Sequence, residues 1–275
     1  MKPGVYDIEH EKYLKMNGLS KSGLSNFSKS PEEYQYKRMH PVEQTKAMRN
    51  GTIIHTATLE PSRYREEYAV APSVDRRTKV GKAKLQAFVE MNPGKEIIAQ
   101  EEHDLAVNIS AAVHNSKKAH EKLSNARIES SVFWNDPDYD FLCKARPDAL
   151  DESTGTIIDL KTTNDATYNK ARNTIMNLKY HWQAAFYLRG MRILEPGKYT
   201  NFMFVFVETT PPYYINNIVL SPDFITMAEI EISTLLGDYA RCLESDIWPG
   251  PPDEITEMEP PEYYRRKFEN NELPF

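Results

Sequence analysis

The run Cys143-Lys144-Ala145-Arg146-Pro147-Asp148-Ala149-Leu150-Asp151-Glu152-Ser153-Thr154-Gly155-Thr156-Ile157-Ile158-Asp159-Leu160-Lys161-Thr162-Thr163 decides how this chain folds. Residues 156–161 (TIIDLK) are rich in β-formers and follow a polar break, Asp151-Glu152-Ser153-Thr154-Gly155, so they read as a strand entered through a turn. Side chains alternate along a strand, which turns Asp159 and Lys161 to one face about ~7 Å apart and Ile158 and Leu160 to the other. The break folds the preceding strand back, and Asp148 then comes close to Ile158 and Asp159 in any plausible register. Two carboxylates and an amine converge. Like charges a few ångströms apart raise each other's pKa unless a cation lies between them, and a hard divalent ion removes that penalty. Magnesium suits a few carboxylates, water and a phosphate, whereas zinc asks for more His or Cys. An ammonium beside such an ion can orient water or stabilise charge on a phosphoryl group, which is machinery for phosphodiester hydrolysis. The plainer alternative is an exposed strand with solvated charges. The apolar opposite face argues instead for a central strand, where unpaired carboxylates are costly.

Outward from this stretch, residues 128–134 (IESSVFW) and 139–150 (YDFLCKARPDAL), separated by Asn135-Asp136-Pro137-Asp138, complete three neighbouring antiparallel strands with 156–161. A helical region over 166–191, strands over 202–207 and 213–220, and a helix over 222–243 follow, and the tail 249–275 is rich in Pro and Glu. On the N-terminal side, Ser20 or Ser22 caps one short helix and Ser30, before Pro31-Glu32-Glu33, caps a second. Asn50-Gly51 and Pro61 bracket a mostly apolar run that reads as a buried helix with His55 at its middle. Residues 75–84 (DRRTKVGKAK) are a dense basic stretch, and 84–123 carry a helical pattern. The expected organisation is one domain over 1–275, with a helical part at 18–123, a sheet core at 126–220, the 222–243 helix and the tail.

The chain has 275 residues, 40% hydrophobic and 27% charged, a composition that excludes collagen, coiled coil and wholesale disorder. Its net charge of −6 argues against a protein that coats nucleic acid nonspecifically, since that affinity comes from phosphate neutralisation, but not against an enzyme with a locally acidic metal site. Two cysteines, Cys143 and Cys242, cannot build a disulfide framework or a four-thiolate zinc or iron-sulfur centre, and they fit a reducing compartment. The first twenty residues lack the apolar stretch of a signal peptide, and no run reaches the ~18 apolar residues of a membrane span, so a cytoplasmic location is expected.

Pro147-Asp148, ten intervening residues, then Asp159-Leu160-Lys161 resembles the signature of the PD-(D/E)XK nuclease superfamily. The wider run CKARPDALDESTGTIIDLKTT resembles the RecE-type exonuclease VIII branch. GTIIHTATLEP is similar to that branch's histidine-bearing segment and IESSVFW to its glutamate-bearing strand. Tyr180-His181-Trp182-Gln183-Ala184-Ala185-Phe186-Tyr187 is similar to its Gln-x-x-x-Tyr helix, so the resemblance spans about residues 19–187.

The resemblance implies an α/β (α+β) fold with a restriction-endonuclease-like core, a central mixed β-sheet flanked by helices, and an N-terminal helical extension. It implies that Asp148, Asp159 and the Leu160 carbonyl ligate a metal, that Lys161 positions water, and that His55 lies on or beside the metal. Glu129 becomes a further acidic group, and Gln183 and Tyr187, on one helix face, contact the DNA strand or support the lysine. It further implies Mg²⁺ dependence, with Mn²⁺ as a substitute, and digestion of linear duplex from the 5′ end to leave 3′ single strands for phage-type recombination. A trimeric or tetrameric ring around DNA and a single-strand annealing recombinase as partner complete the picture; composition alone offers the Pro/Glu-rich tail as a docking segment for that partner.

Each supporting residue has a plainer alternative. His55 can be a satisfied core histidine, Glu129 a solvated strand-edge acid and Tyr187 a core residue, while Trp182 and Phe186 are assigned to packing. The basic residues Arg76, Arg77, Lys79, Lys82 and Lys84 are the best candidates for holding a DNA backbone, against a merely exposed loop. Ser22 and Ser25, with Lys21, and also Arg146 are weaker candidates for a terminal phosphate. The rival functions are a structure- or site-specific endonuclease with the same metal core and a non-catalytic DNA-end or partner-binding module.

Overall fold

The computed structural model describes residues 1–40 and 44–269. In chain order the elements are β1 (Gly4–Tyr6), α1 (His10–Lys15), α2 (Lys21–Phe27), α3 (Pro31–Met39), α4 (Lys46–Leu59), α5 (Pro61–Glu67), β2 (Tyr68–Val70), α6 (Lys79–Met91), β3 (Glu96–Ile98), α7 (Gln100–Asn115) and α8 (Lys117–Leu123). There follow β4 (Arg127–Ile128), β5 (Ser131–Asn135), β6 (Leu142–Ala145), β7 (Ala149–Asp151), β8 (Thr156–Thr163), α9 (Tyr168–Asn177), α10 (Tyr180–Leu194), β9 (Asn201–Glu208), β10 (Ile215–Val219), α11 (Pro222–Ser245) and α12 (Glu262–Glu269).

The main sheet runs β10-β9-β8-β7-β4, with β8 and β9 parallel and the other neighbours antiparallel, so β8 is central as its apolar face requires. Period-two alternation sorts its side chains into two layers. Phe202, Phe204 and Phe206 of β9, with Ile157 of β8, pack in one core with α10 and α11. Met203, Val205 and Val207, with Ile158 and Leu160, pack in a second core with residues of α4, α7 and α8. Asp159 and Lys161 therefore stand on the α10 side of the sheet, and α4 covers the other. This is a mixed sheet flanked by helices, with the helical extension on its N-terminal side.

The expected three continuous strands need correction. The first breaks at Glu129, whose φ of 52° is left-handed, and the second breaks at Arg146-Pro147-Asp148, where proline has no N–H to give the ladder. The two breaks face each other, because Glu129 donates its N–H to the Asp148 carbonyl at 2.9 Å. Before and beyond them the paired strands belong to different sheets: β4 and β7 join the main sheet, while β5 and β6 form a three-stranded sheet with β1. The β1 strand lies outside every segment the sequence marked as sheet.

Other boundaries also shift. The basic stretch at 75–84 is loop only to Thr78, which caps α6 by accepting from Gly81 N at 2.9 Å. Gly81 is required there, since a Cβ would lie 1.9 Å from the Asp75 carbonyl oxygen. The 84–123 pattern is three helices interrupted by β3, which pairs in parallel with β2. The 166–191 region divides at Lys179, whose φ is 56°. Gly51 does not start a helix but lies within α4, which begins at Lys46. Ser20 and Ser30 cap α2 and α3 as expected, each accepting from the N–H three residues on. The end of the Pro/Glu-rich tail, 270–275, lies outside the described residues, and 251–261 precede α12 as exposed chain without regular structure. Among the described residues no helix is long and apolar enough to cross a membrane.

The turn that folds β8 back on β7 is held by Asp151. Its carboxylate accepts from Ser153 N at 3.0 Å and Ser153 Oγ at 2.5 Å, from Thr154 Oγ1, and pairs with Lys122 Nζ at 3.4 Å. Burial alone would raise its pKa, but the Ser153 and Thr154 donors and Lys122 hold it below the usual aspartate range. A depressed carboxylate contributes stability that is complete above its unfolded pKa and is lost as pH falls through the folded one. Asp151→Asn is thus expected to lose about 1–3 kcal/mol at pH 7, and the gap to wild type should narrow as pH falls below the usual aspartate range. Urea melts across that range check it, and a pH-independent gap would refute it.

Candidate active site

Asp148 follows the Pro147 break at the entrance of β7, and Asp159 lies on β8 one residue beyond the pair Ala149 and Ile158. The register anticipated from sequence therefore holds. Asp148 Oδ2 accepts the Leu160 N–H at 2.7 Å, so the backbone of β8 fixes this carboxylate; Leu160 meets it through its N–H. Asp159 is 2% exposed and is held from both sides. Lys161 Nζ lies 2.5 Å from its Oδ2, and Gln183 Nε2 of α10 donates to its Oδ1.

From the other layer, α4 brings His55 to the same place, with Nδ1 3.4 Å from Asp148 Oδ2. His55 is half-buried and faces a cavity rather than the core. The left-handed turn at Glu129 delivers a third group, and ligand atoms of His55, Glu129 and Asp148 all lie within 4.8 Å of one another. The cavity beside them, of about 270 Å³, is also lined by His10, Glu60, Arg63 and Arg146.

The electrostatics are those of a site short of positive charge. Burial, then the neighbouring Asp148, pushes Glu129 up to about 7 against the pull of Arg146. Burial would lower His55, yet Asp148, Asp159 and Glu129 push it up to about 9. Asp159 is raised by burial against the attraction of Lys161. Asp148, which burial would raise, is held low by His55, Lys161 and the Leu160 N–H. Two oxygen donors and one imidazole around an electron-rich pocket fit a hard divalent cation, and the nitrogen and sulfur content is too small for a structural zinc site.

The remaining candidates divide. Tyr187 is half-buried with its ring edge on Phe202, 6.2 Å between centroids, and its hydroxyl is raised by burial, Tyr13, Asp159 and Asp148. Arg146 is close, but its guanidinium is engaged: Nε donates to Glu129 at 2.6 Å and Nη1 to Ile8 O and Ser131 Oγ at 2.7 and 2.5 Å. Ser22 is exposed and bonded to Ser20 Oγ at 2.9 Å, and the Ser25 hydroxyl is buried with no protein partner among the described residues. Arg76, Arg77, Lys79, Lys82 and Lys84 are all exposed, on the loop before α6 and its first turns. None of them lines the cavity of His55 and Asp148. Trp182 and Phe186 are buried packing residues.

Several residues at the site escape a reading of the sequence. His10 at the start of α1 lines the cavity, and burial, Arg146 and Arg63 hold its pKa low. Its helix is clamped from below by Lys144, whose Nζ donates to the carbonyls of Tyr13, Leu14 and Met16 at 3.1, 3.3 and 2.6 Å. Tyr180 lies under Lys161, with Nζ 4.5 Å from its ring centroid. Lys21, a weaker phosphate candidate from the sequence, also reaches this ring, and burial, then Lys161, lowers its pKa to about 8. Only the polar residues at regular spacing carried a signal; an aromatic residue at a helix start reads as core.

Residues 20–259 match a family described as a PDDEXK-like domain of unknown function, DUF3799. Among solved structures, the crystal structure of a protein from Eubacterium rectale, described as a candidate exonuclease, superposes with a TM-score of 0.60 at 14% identity, covering 95% of this chain and 98% of that one. No curated protein matches the sequence.

Proposed function

Because the chain belongs to the PDDEXK-like family, with the match covering residues 20–259, we propose that it is a metal-dependent nuclease whose working groups are Asp148, Asp159, Lys161, His55 and Glu129. The observation that carries this reading is the cluster of His55, Glu129 and Asp148 beside one cavity, with the Asp159–Lys161 pair adjoining it on β8, where the intervening Leu160 N–H donates to Asp148. Asp148, Glu129 and His55 would hold the ion, with Asp159 and the Leu160 carbonyl as further donors. A hard divalent ion supplies Lewis-acid stabilisation of charge on the phosphoryl oxygens when bound. Lys161 orients the attacking water and balances charge on the phosphate, and Gln183 keeps the Asp159 carboxylate in one orientation. Tyr187, one turn on from Gln183 on the same helix face and edge-on to Phe202, is the proposed contact to the DNA strand or support for the lysine.

The finer reading is a Mg²⁺ enzyme, with Mn²⁺ as substitute, that degrades linear duplex 5′ to 3′ and leaves 3′ strands for annealing. It is supported by the ordered resemblance to the RecE-type branch and by the neighbour described as a candidate exonuclease. The same resemblance supports a ring of three or four subunits and a strand-annealing partner, and two free cysteines agree with a cytoplasmic setting. The exposed basic run Arg76, Arg77, Lys79, Lys82 and Lys84 is the proposed backbone contact, with Ser22, Ser25 and Arg146 secondary.

The test is incubation of purified protein with linear duplex labelled at either 5′ or 3′ end, and with closed circular duplex, in Mg²⁺, Mn²⁺ or EDTA. Expected are loss of the 5′ label first, dependence on the ion and an intact circle. Equal cutting of the circle would convert the assignment to an endonuclease, and release that survives EDTA would overturn the metal mechanism.

A further inference from the structure

The first turn of α10 restrains both members of the Asp159–Lys161 pair. Gln183 donates to Asp159 Oδ1, and three residues earlier, on the same helix face, the Tyr180 ring lies 4.5 Å from Lys161 Nζ. That ring is itself fixed. It stacks on Phe204 at 5.8 Å and 28°, and Phe204 is the register partner of Asp159 in the β8–β9 ladder. The corner that leads into Tyr180 is tied from outside, because Lys21 donates to the Leu178 carbonyl at 3.0 Å while its ammonium lies 5.4 Å from the same ring centroid. The Tyr180 hydroxyl makes no hydrogen bond among the described residues, so the ring face is what meets the ammonium.

We propose that Tyr180 is a positioning residue for the reaction: its ring face, held between Phe204 and the Lys21 tie, keeps the Lys161 ammonium directed at Asp159 and the phosphate. Without the ring, a four-carbon side chain with many rotamers is restrained only by its ion pair. With it, the amine gains a second, orientation-dependent attraction from the ring quadrupole. The proposal rests on the nuclease reading above and adds a residue to it that the family motif does not contain.

Tyr180→Phe keeps the ring, whereas Tyr180→Leu keeps an apolar side chain over Phe204 without it. The expected result is a kcat within twofold of wild type for Tyr180→Phe and roughly tenfold lower for Tyr180→Leu, with KM for DNA unchanged in both. Should the leucine variant unfold, Tyr180→Met makes the same comparison. An independent readout is the ring-current shift of the Lys161 ε-methylene protons, assigned by their loss in Lys161→Arg. It is expected to persist in Tyr180→Phe and vanish in Tyr180→Leu. A leucine variant with wild-type kcat, a phenylalanine variant as slow as leucine, or an unchanged methylene shift in the leucine variant overturns the positioning role. Absence of hydrolysis by the wild-type protein overturns the nuclease reading instead.

Discussion

Asp159→Asn is expected to lower the rate of DNA hydrolysis at least about 10³-fold while the protein remains folded. The asparagine keeps the size of the side chain and an oxygen for the Gln183 amide to donate to, so the local packing is conserved. What disappears is the negative charge that pairs with Lys161 at 2.5 Å and that would help hold a cation. Loss of a buried partner charge is costly by itself, but here the substitution also removes repulsion from Asp148, which contributes to the raised pKa of Asp159. The two effects oppose, so the melting temperature without added metal should move by only a few degrees. Single-turnover hydrolysis of linear duplex, with melting curves in EDTA and in Mg²⁺, separates the two quantities. A variant that retains more than about a tenth of the wild-type rate would remove Asp159 from the chemistry.

Gly190→Val is expected to cost about 3 kcal/mol of stability. Helix α10 crosses β5 so closely that a Cβ at residue 190 would stand 2.6, 2.7 and 2.8 Å from the Cε3, Cζ3 and Cδ2 atoms of Trp134. The indole is fully buried and packs on Phe186 at 4.8 Å, so it has nowhere to move. Because α10 also carries Tyr180, Gln183 and Tyr187, displacing it would disturb the site from behind. The control is Gly51→Ala on α4, where an added Cβ meets nothing within 4 Å. Removing glycine from an open helical position should stabilise by roughly 0.5–1 kcal/mol. Urea denaturation of the two variants, read with wild type, tests the contrast. A valine at 190 that costs under about 1 kcal/mol would mean that the helix can retreat from the indole.

The sequence made the β8 strand legible because three independent signals agreed there: β-branched composition, period-two alternation and a strong polar turn before it. The same turn set the register that puts Asp148 beside Asp159. The caps at Ser20 and Ser30 were legible for a similar reason, since each offers an oxygen to an unpaired N–H at a helix start. The strand breaks at Glu129 and Pro147 were harder. The flanking residues on both sides favour β structure, and a left-handed glutamate has no compositional mark. Only pairing between the two bends, through Glu129 N and Asp148 O, explains why both occur at one level of the sheet. The β2–β3 pair was hidden by its size, three residues each, and the single helical pattern assigned to 84–123 passes over the turn-forming Asn92-Pro93-Gly94 before β3. At the site, the spaced polar motifs could be read off the chain, whereas His10 and Tyr180 reach it from positions that acquire meaning only in three dimensions.

The parallel pairing of β8 with β9 has a consequence for synthesis. Thr163 ends β8 and Asn201 begins β9, so the ribosome must add the whole α9–α10 crossover before the strand bearing Asp159 gains its second neighbour. At about 5–20 residues per second this interval lasts roughly 2–8 seconds. During it the β8 backbone is an open edge, and the helix that supplies Gln183 and Tyr180 has yet to dock. Translation products that stop within the crossover lack β9, and with it the Phe204 ring on which Tyr180 stacks.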